Sequence, residues 1–113
     1  MDCVFCRIVD RKIPSQVVYE DDSVLAFKDI NPAAPVHMLV IPKKHIASIS
    51  EIAPDDLAVI GHIFSVIQGI AKKHGLDRDG FRVVANTGER AGQSVKHLHF
   101  HVLGGRDFAW PPG

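Results

Sequence analysis

Residues 97–105 read HLHFHVLGG, so His97, His99 and His101 alternate with Leu98, Phe100 and Val102. In an extended strand, residues two apart share a face and each residue advances roughly 3.3 Å, which sets neighbouring imidazoles about 6–7 Å apart in a row. Three readings of such a row compete. The rings simply meet solvent on a polar sheet face. Alternatively, two rings at i and i+2 share a metal ion and a third completes a catalytic zinc site with an open position, with His37 in VHMLV as a further candidate. In the third reading an uncharged imidazole, whose unperturbed pKa is about 6.5, attacks phosphorus and splits one displacement into two. Its neighbours then hydrogen-bond the charged oxygens or hand a proton to the leaving group. This last reading accounts for more of the surroundings. The preceding segment TGERAGQS offers backbone N–H groups and the Ser94 hydroxyl to an anion. No carboxylate lies near the row in sequence to support a metal-bound imidazole.

A second candidate is the pair Cys3-x-x-Cys6. Two cysteines at this spacing are half a zinc site, a redox pair or two buried thiols. A thioredoxin-like motif follows a strand and opens a helix in a βαβ unit, a context this pair lacks. A reducing compartment disfavours a structural disulfide.

The elements that must position these groups follow from periodicity. SQVVYEDD and SVLAFKDI are short β-rich runs joined by Asp21-Asp22-Ser23, a hairpin signal. NPAAP is a turn cluster, and VHMLVIP reads as a buried strand stopped by Pro42. From Pro54 the period changes: Leu57, Ile60, Phe64, Ile67 and Ala71 recur every three or four residues, with Ile63 and Ile70 widening the stripe. Pro54 suits a first turn, Asp55 and Asp56 suit its positive end, and Gly75 after Lys72, Lys73 and His74 suits a stop. GFRVVANT and VKHLHFHVLGG supply a fourth and a fifth strand, and the prolines of RDFAWPPG exclude regular structure. The expected architecture is α+β: a mostly antiparallel sheet of about five strands with one long helix. One helix covers one face of such a sheet, so the other face needs the N-terminal segment, a ligand or a second copy.

The chain has 113 residues, which makes residues 1–113 a single domain, since two cores would each be too small to fold unaided. Lys plus Arg and Asp plus Glu balance at 13 each, so no global field favours nucleic acid or an anionic membrane. Neither a signal-peptide pattern nor 18 consecutive apolar residues occurs, and a cytoplasmic protein is expected.

The pattern His-φ-His-φ-His-φ-φ, with φ apolar, is met in full by HLHFHVL. Together with IPSQVVYEDDSVLAFKDINPAAPVHMLVIPKKHI, AGQSVKHLHFHVLGG and the terminal WPPG, it resembles the histidine-triad family, in its purine nucleoside phosphoramidase branch of nucleotide-binding proteins. The resemblance covers nearly the whole chain. It implies a nucleotide hydrolase in which His99 attacks the α-phosphorus to give a nucleotidyl-histidine. His101 would hold phosphate oxygens and serve the leaving group, and His37 would orient the row. Asn86, Gly92, Gln93 and Ser94 match the phosphate-side loop, with Ser94 toward the leaving group, and Asp29 matches the grip on the ribose hydroxyls. Phe5, Ile8, Phe27 and Leu39 match the walls of the base pocket; apolar strand residues are equally well plain core. The resemblance also implies a structural zinc on Cys3, Cys6, His45 and His97, with no catalytic metal. It further implies a homodimer whose sheet continues across the interface, with the tail 105–113 reaching toward the partner's site and Trp110 at the interface or the substrate. Lys96 departs from the aromatic residue usual before the triad, and its stem is expected to run to the sheet's edge. Two alternatives stand beside the phosphoramidase: a dinucleoside polyphosphate hydrolase of the same family, and a nucleotide-binding interaction module with incidental turnover.

Overall fold

The computed structural model describes residues 3–113. In chain order the elements are α1 (Val4–Val9), β1 (Val17–Glu20), β2 (Val24–Lys28), β3 (Val36–Pro42), α2 (Leu57–Lys73), α3 (Leu76–Asp79), β4 (Arg82–Val84) and β5 (Phe100–Gly104). The strands form one antiparallel sheet in the order β1-β2-β3-β5-β4, as an α+β domain with one long helix requires.

The period-two alternation of the central strands divides the molecule into two cores. Val24, Ala26, Met38, Val40, Leu98, Phe100 and Val102 point to one face and pack under α2. Leu25, Phe27, Leu39 and Ile41 point to the other, where Phe5 of α1 and Cys3 cover them. Each such side chain taken out of water contributes roughly 1.5–3 kcal/mol before the entropy of ordering it is subtracted. The face opposite the long helix is thus covered by the N-terminal segment, through a helix that the sequence reading does not anticipate.

The stripe of α2 is rotated from its sequence expectation. Ile63, Val66, Ile67, Ile70 and Ala71 are buried, whereas Leu57 and Phe64 are 61% and 48% exposed. Apolar residues occupy more of this helix's circumference than the sheet can cover, so periodicity alone does not choose among them. Pro54, Asp55 and Asp56 form a separate 3-10 turn before the helix. Gly75 ends it in the left-handed region at φ 73°, where other residues are strained. At Gly104 in β5, an added Cβ would meet the Leu76 side chain at 2.5 Å, so α3 packs directly on strand backbone.

Strand β5 is shorter than expected and begins at Phe100, so only His101 of the three histidines lies in the ladder. Just before it, Leu98 N–H donates to the Ile46 carbonyl at 2.6 Å, outside the sheet's regular pairing. Lys96 falls in a bend and is exposed, so its stem has no sheet face to escape from. No helix among the described residues is long and apolar enough to cross a membrane.

Candidate active site

Cross-strand register assembles the site. Phe27 pairs with Leu39, Leu39 with His101, and His101 with Val84, which makes one row across four strands. His37 stands diagonal to His101, and their rings lie 5.1 Å apart. The rings of His99 and His101 are likewise 5.1 Å apart, and Phe5 meets His99 edge-on at the same spacing. A cavity of about 350 Å³ opens on this face, walled by Phe5, Ile8, Phe27, Leu39 and Val95, with Asp29, Ser94, His99 and His101 on its polar side. A concave, mostly apolar pocket with a few convergent polar groups is the usual form of a small-molecule site.

The hydrogen bonds fix the tautomer of each ring. His99 Nδ1–H donates to the His97 carbonyl at 2.7 Å, which leaves Nε2 as the nitrogen with a free lone pair in a ring that lines the cavity. Ala33 N–H donates to His37 Nδ1 at 3.0 Å, so that nitrogen carries no proton and His37 Nε2–H donates to His101 Nδ1 at 2.9 Å. While it accepts that bond, His101 carries its proton on Nε2. Burial pushes the His101 ring down to about 4, and the neighbouring His99 and His37 rings push the same way, so near neutral pH it is an uncharged hydrogen-bond donor. The chain of rings therefore holds a lone pair at His99 and an N–H at His101, side by side. That is an arrangement for attack on an electrophile whose oxygens or leaving group need a proton.

The cluster Asp29, His37 and His101 has the residue types of a metal site, with ligand atoms within 4.8 Å of one another. The Ala33 amide argues against that use: a metal on His37 Nε2 would force the proton onto Nδ1, against another N–H.

The cluster of Cys3, Cys6, His45 and His97 is built the other way. Its ligand atoms also lie within 4.8 Å of one another. Cys3 Sγ is 3.4 Å from His97 Nδ1, and Cys6 Sγ is 3.4 Å from His45 Nδ1 and 3.5 Å from His97 Nδ1. A tetrahedral ion with bonds of about 2.3 Å to sulfur and about 2.05 Å to nitrogen has sulfur–nitrogen edges of about 3.5 Å. His97 Nε2–H donates to the Pro42 carbonyl at 2.8 Å, which turns the Nδ1 lone pair to the cysteines. Burial pushes His97 below the usual imidazole range, toward the neutral form a ligand needs. Cys3 caps α1, its sulfur accepting from Cys6 N–H at 3.3 Å. Burial, and then the Cys3 sulfur, push the Cys6 thiol up to about 11, so a cation bound there would displace a proton. The residues present fit a closed metal site.

The remaining expected residues fall in two places. Asn86, Gly92 and Gln93 are not in the cavity wall. Gly92 turns at φ 85°, and the Gln93 amide is spent on backbone groups: Nε2 donates to the Ala47 and Val95 carbonyls, and Oε1 accepts from Gly88 N–H. Trp110 is 82% exposed on the tail. The tail is tied back by Arg82, which donates to the Ala109 carbonyl at 3.0 Å, and by the Arg82 and Arg106 guanidinium groups against the Phe108 ring. The sequence reading missed Val95, Ile13, Pro14 and Ile30 in the cavity wall. Ile30, 91% exposed beside a carboxylate in a turn, is the one of these with a signal of its own in the fold.

An open antiparallel sheet with alternating histidines running into β5, two of which line one cavity on the face opposite α2, matches the histidine-triad pattern of the sequence. Comparison with known proteins agrees. The family model described as scavenger mRNA decapping enzyme C-term binding matches residues 2–108. A HIT-like protein from Synechocystis sp. is 51% identical over 112 residues, covering 99% of this chain and 97% of that protein. Among solved structures, a HIT family hydrolase from Legionella pneumophila superposes with a TM-score of 0.97 at 46% identity, covering 99% of this chain and 100% of that one. A histidine triad nucleotide-binding protein from Candida albicans superposes at 0.83 with 34% identity, covering 97% and 83%. The chain belongs to the histidine-triad (HIT) family.

Proposed function

We propose that the protein hydrolyses purine nucleoside phosphoramidates, of the adenosine 5′-monophosphoramidate type, through a nucleotidyl intermediate on His99. The observation that carries this reading is the Nδ1–H bond from His99 to the His97 carbonyl, which commits the ring to a single tautomer with its Nε2 lone pair free. His99 Nε2 attacks the α-phosphorus and forms a P–N bond as the bond to the leaving amine breaks. His101 Nε2–H supplies the proton that leaves with the amine. Water then attacks phosphorus, breaks the bond to His99 and returns a proton to His101, which releases the nucleoside 5′-monophosphate. Asp29 accepts from the ribose hydroxyls, and Phe5, Ile8, Phe27 and Leu39 enclose the base. Ser94, on the polar side of the cavity, faces the phosphate and leaving group, and His37 holds His101 in its donor tautomer. The nucleotide ligand is also supported by the printed name of the Candida albicans relative, and hydrolysis by that of the Legionella pneumophila one.

The ion that best fits Cys3, Cys6, His45 and His97 is zinc, in a structural role; it would tie α1, and with it Phe5, to the sheet. Its ligands suit a reducing cytoplasm, where both thiols persist. A homodimer is proposed on the open edge at β4, beside which Phe64, Phe81 and Trp110 are 48%, 37% and 82% exposed. Residues 105–113 follow β5, the neighbour of that edge strand, and Arg82 of β4 holds the tail at the Ala109 carbonyl.

The test is intact-mass analysis after brief mixing with an adenosine phosphoramidate, followed by peptide mapping. An adenylyl adduct on His99 is expected, and turnover with no adduct on any histidine would sink the mechanism.

A further inference from the structure

One proton of the site has a bonded acceptor and a second acceptor within reach. His37 Nδ1 accepts from Ala33 N–H, so the ring donates only through Nε2. That nitrogen lies 2.9 Å from His101 Nδ1 and 3.4 Å from Asp29 Oδ2. Asp29 Oδ1 is already committed to Asn31 N–H at 2.8 Å, which fixes the carboxylate and leaves Oδ2 to divide its attention between His37 and the cavity that Asp29 lines. His37 is 8% exposed, so water does not substitute for either partner.

We propose that Asp29 is a positioning residue that couples occupation of the ribose subsite to the proton donor of the reaction, acting through His37. This rests on the nucleotide reading above for the nature of the ligand. With the subsite empty, the carboxylate competes for the His37 proton, and His101 Nδ1 is at times left without a donor. Its ring is then free to take the tautomer whose proton faces away from the phosphate. When the ribose 2′- and 3′-hydroxyls donate to Oδ2, they occupy its lone pairs and weaken its pull. The His37 proton settles on the line to His101 Nδ1, and His101 presents Nε2–H. A ribonucleotide therefore readies its own proton donor, and ribose is selected in turnover as well as in binding.

Kinetics of an adenosine phosphoramidate against its 2′,3′-dideoxy counterpart test this. In the wild type the dideoxy compound is expected to lower kcat about tenfold in addition to raising KM, a coupling of ordinary size. In His37→Gln the ribose grip on Asp29 survives, so the KM difference is expected to persist while the kcat difference disappears. Asp29→Asn is expected to remove both. A ribose effect confined to KM in the wild type, or a kcat preference that survives in His37→Gln, overturns the proposal. Imidazole nitrogen shifts measured by NMR give a readout that needs no turnover: AMP is expected to move His37 and His101 toward the coupled tautomers and 2′,3′-dideoxy-AMP to leave them near the free state. Equal responses to the two, or no AMP binding, overturn the proposal. A protein that turns over no phosphoramidate yet gives the ribose-dependent shifts would lose the hydrolase reading and keep the coupling.

Discussion

Two clusters lie on one face of the sheet and are each built around a pair of histidines, yet they are wired for different chemistry. In the cluster of Cys3, Cys6, His45 and His97, the Pro42 carbonyl takes the proton of His97 Nε2 and leaves Nδ1 as a lone pair aimed at two sulfurs. In the cluster of Asp29, His37 and His101, the Ala33 amide fills His37 Nδ1 and makes Nε2 a donor aimed at the next ring. A carbonyl behind a ring leaves a lone pair on the far nitrogen, and an N–H behind a ring leaves a donor there. His99 shares the first wiring, with its proton on the His97 carbonyl, but its ring lines a cavity, and the proposed mechanism uses the free nitrogen there as the nucleophile. The identity of the residue matters less here than the backbone atom behind it.

The comparison breaks first at His99. His99→Ala is expected to lower turnover of an adenosine phosphoramidate by about 10⁴-fold or more, measured as kcat in the folded variant. A His99→Ala protein retaining a tenth of the activity would mean the lone pair at this position is not the nucleophile. The next test separates the clusters. Chelation is expected to lower stability by about 4 kcal/mol if the ion is normally present a thousandfold above its Kd, read as a drop in Tm. The kcat of the protein that remains folded is expected to hold. Loss of kcat without loss of folding would move the metal from the structural to the catalytic side.

Which faces the site uses was legible in the sequence. The alternation of residues 97–102 puts Leu98, Phe100 and Val102 under α2 and the imidazoles opposite, even though regular pairing starts only at Phe100. Cys3, Cys6, His45 and His97 come together from positions spread over most of the chain, and Phe5, Ile8, Phe27 and Leu39 enclose one cavity. The tautomers were not legible, because each depends on a carbonyl or amide that folding brings up, such as Pro42, 55 residues from His97 in sequence. Helix α1 was hidden for a related reason. Six residues are too few to form a helix by propensity, and this one is held by its packing on Leu25, Phe27 and Ile41 and by the Cys3 cap. Leu57 and Phe64 on α2 carry the same apolar signal as Ile63 and Ile67, and only the width of the sheet separates them.

Smaller effects test the relay. His37→Gln removes an imidazole that takes a proton on one side only to give it on the other, and is expected to lower kcat about 10²-fold, the lower end of what proton-transfer groups contribute. An effect on KM alone would make His37 a wall rather than a relay.

The smallest expected effect is on stability and concerns the sign of a single charge. Burial holds His101 at about 4 in the folded protein, below an ordinary imidazole near 6.5. Between those values the unfolded chain binds the proton and the folded one does not, so stability rises with pH through that window and is lost as pH falls from about 6.5 toward 4. The ring is only half shielded, and solvent screening reduces its share to about 1–2 kcal/mol. Thermal melts between pH 7 and pH 4 are expected to show His101→Gln losing less Tm on acidification than the wild type, by several degrees. The same measurement on His37→Gln is a control on the relay, because that variant takes away one of the two rings that disfavour a charge on His101. If wild type and His101→Gln fall in parallel, His101 is not the ring that burial keeps neutral, and the donor tautomer assigned to it loses its electrostatic basis.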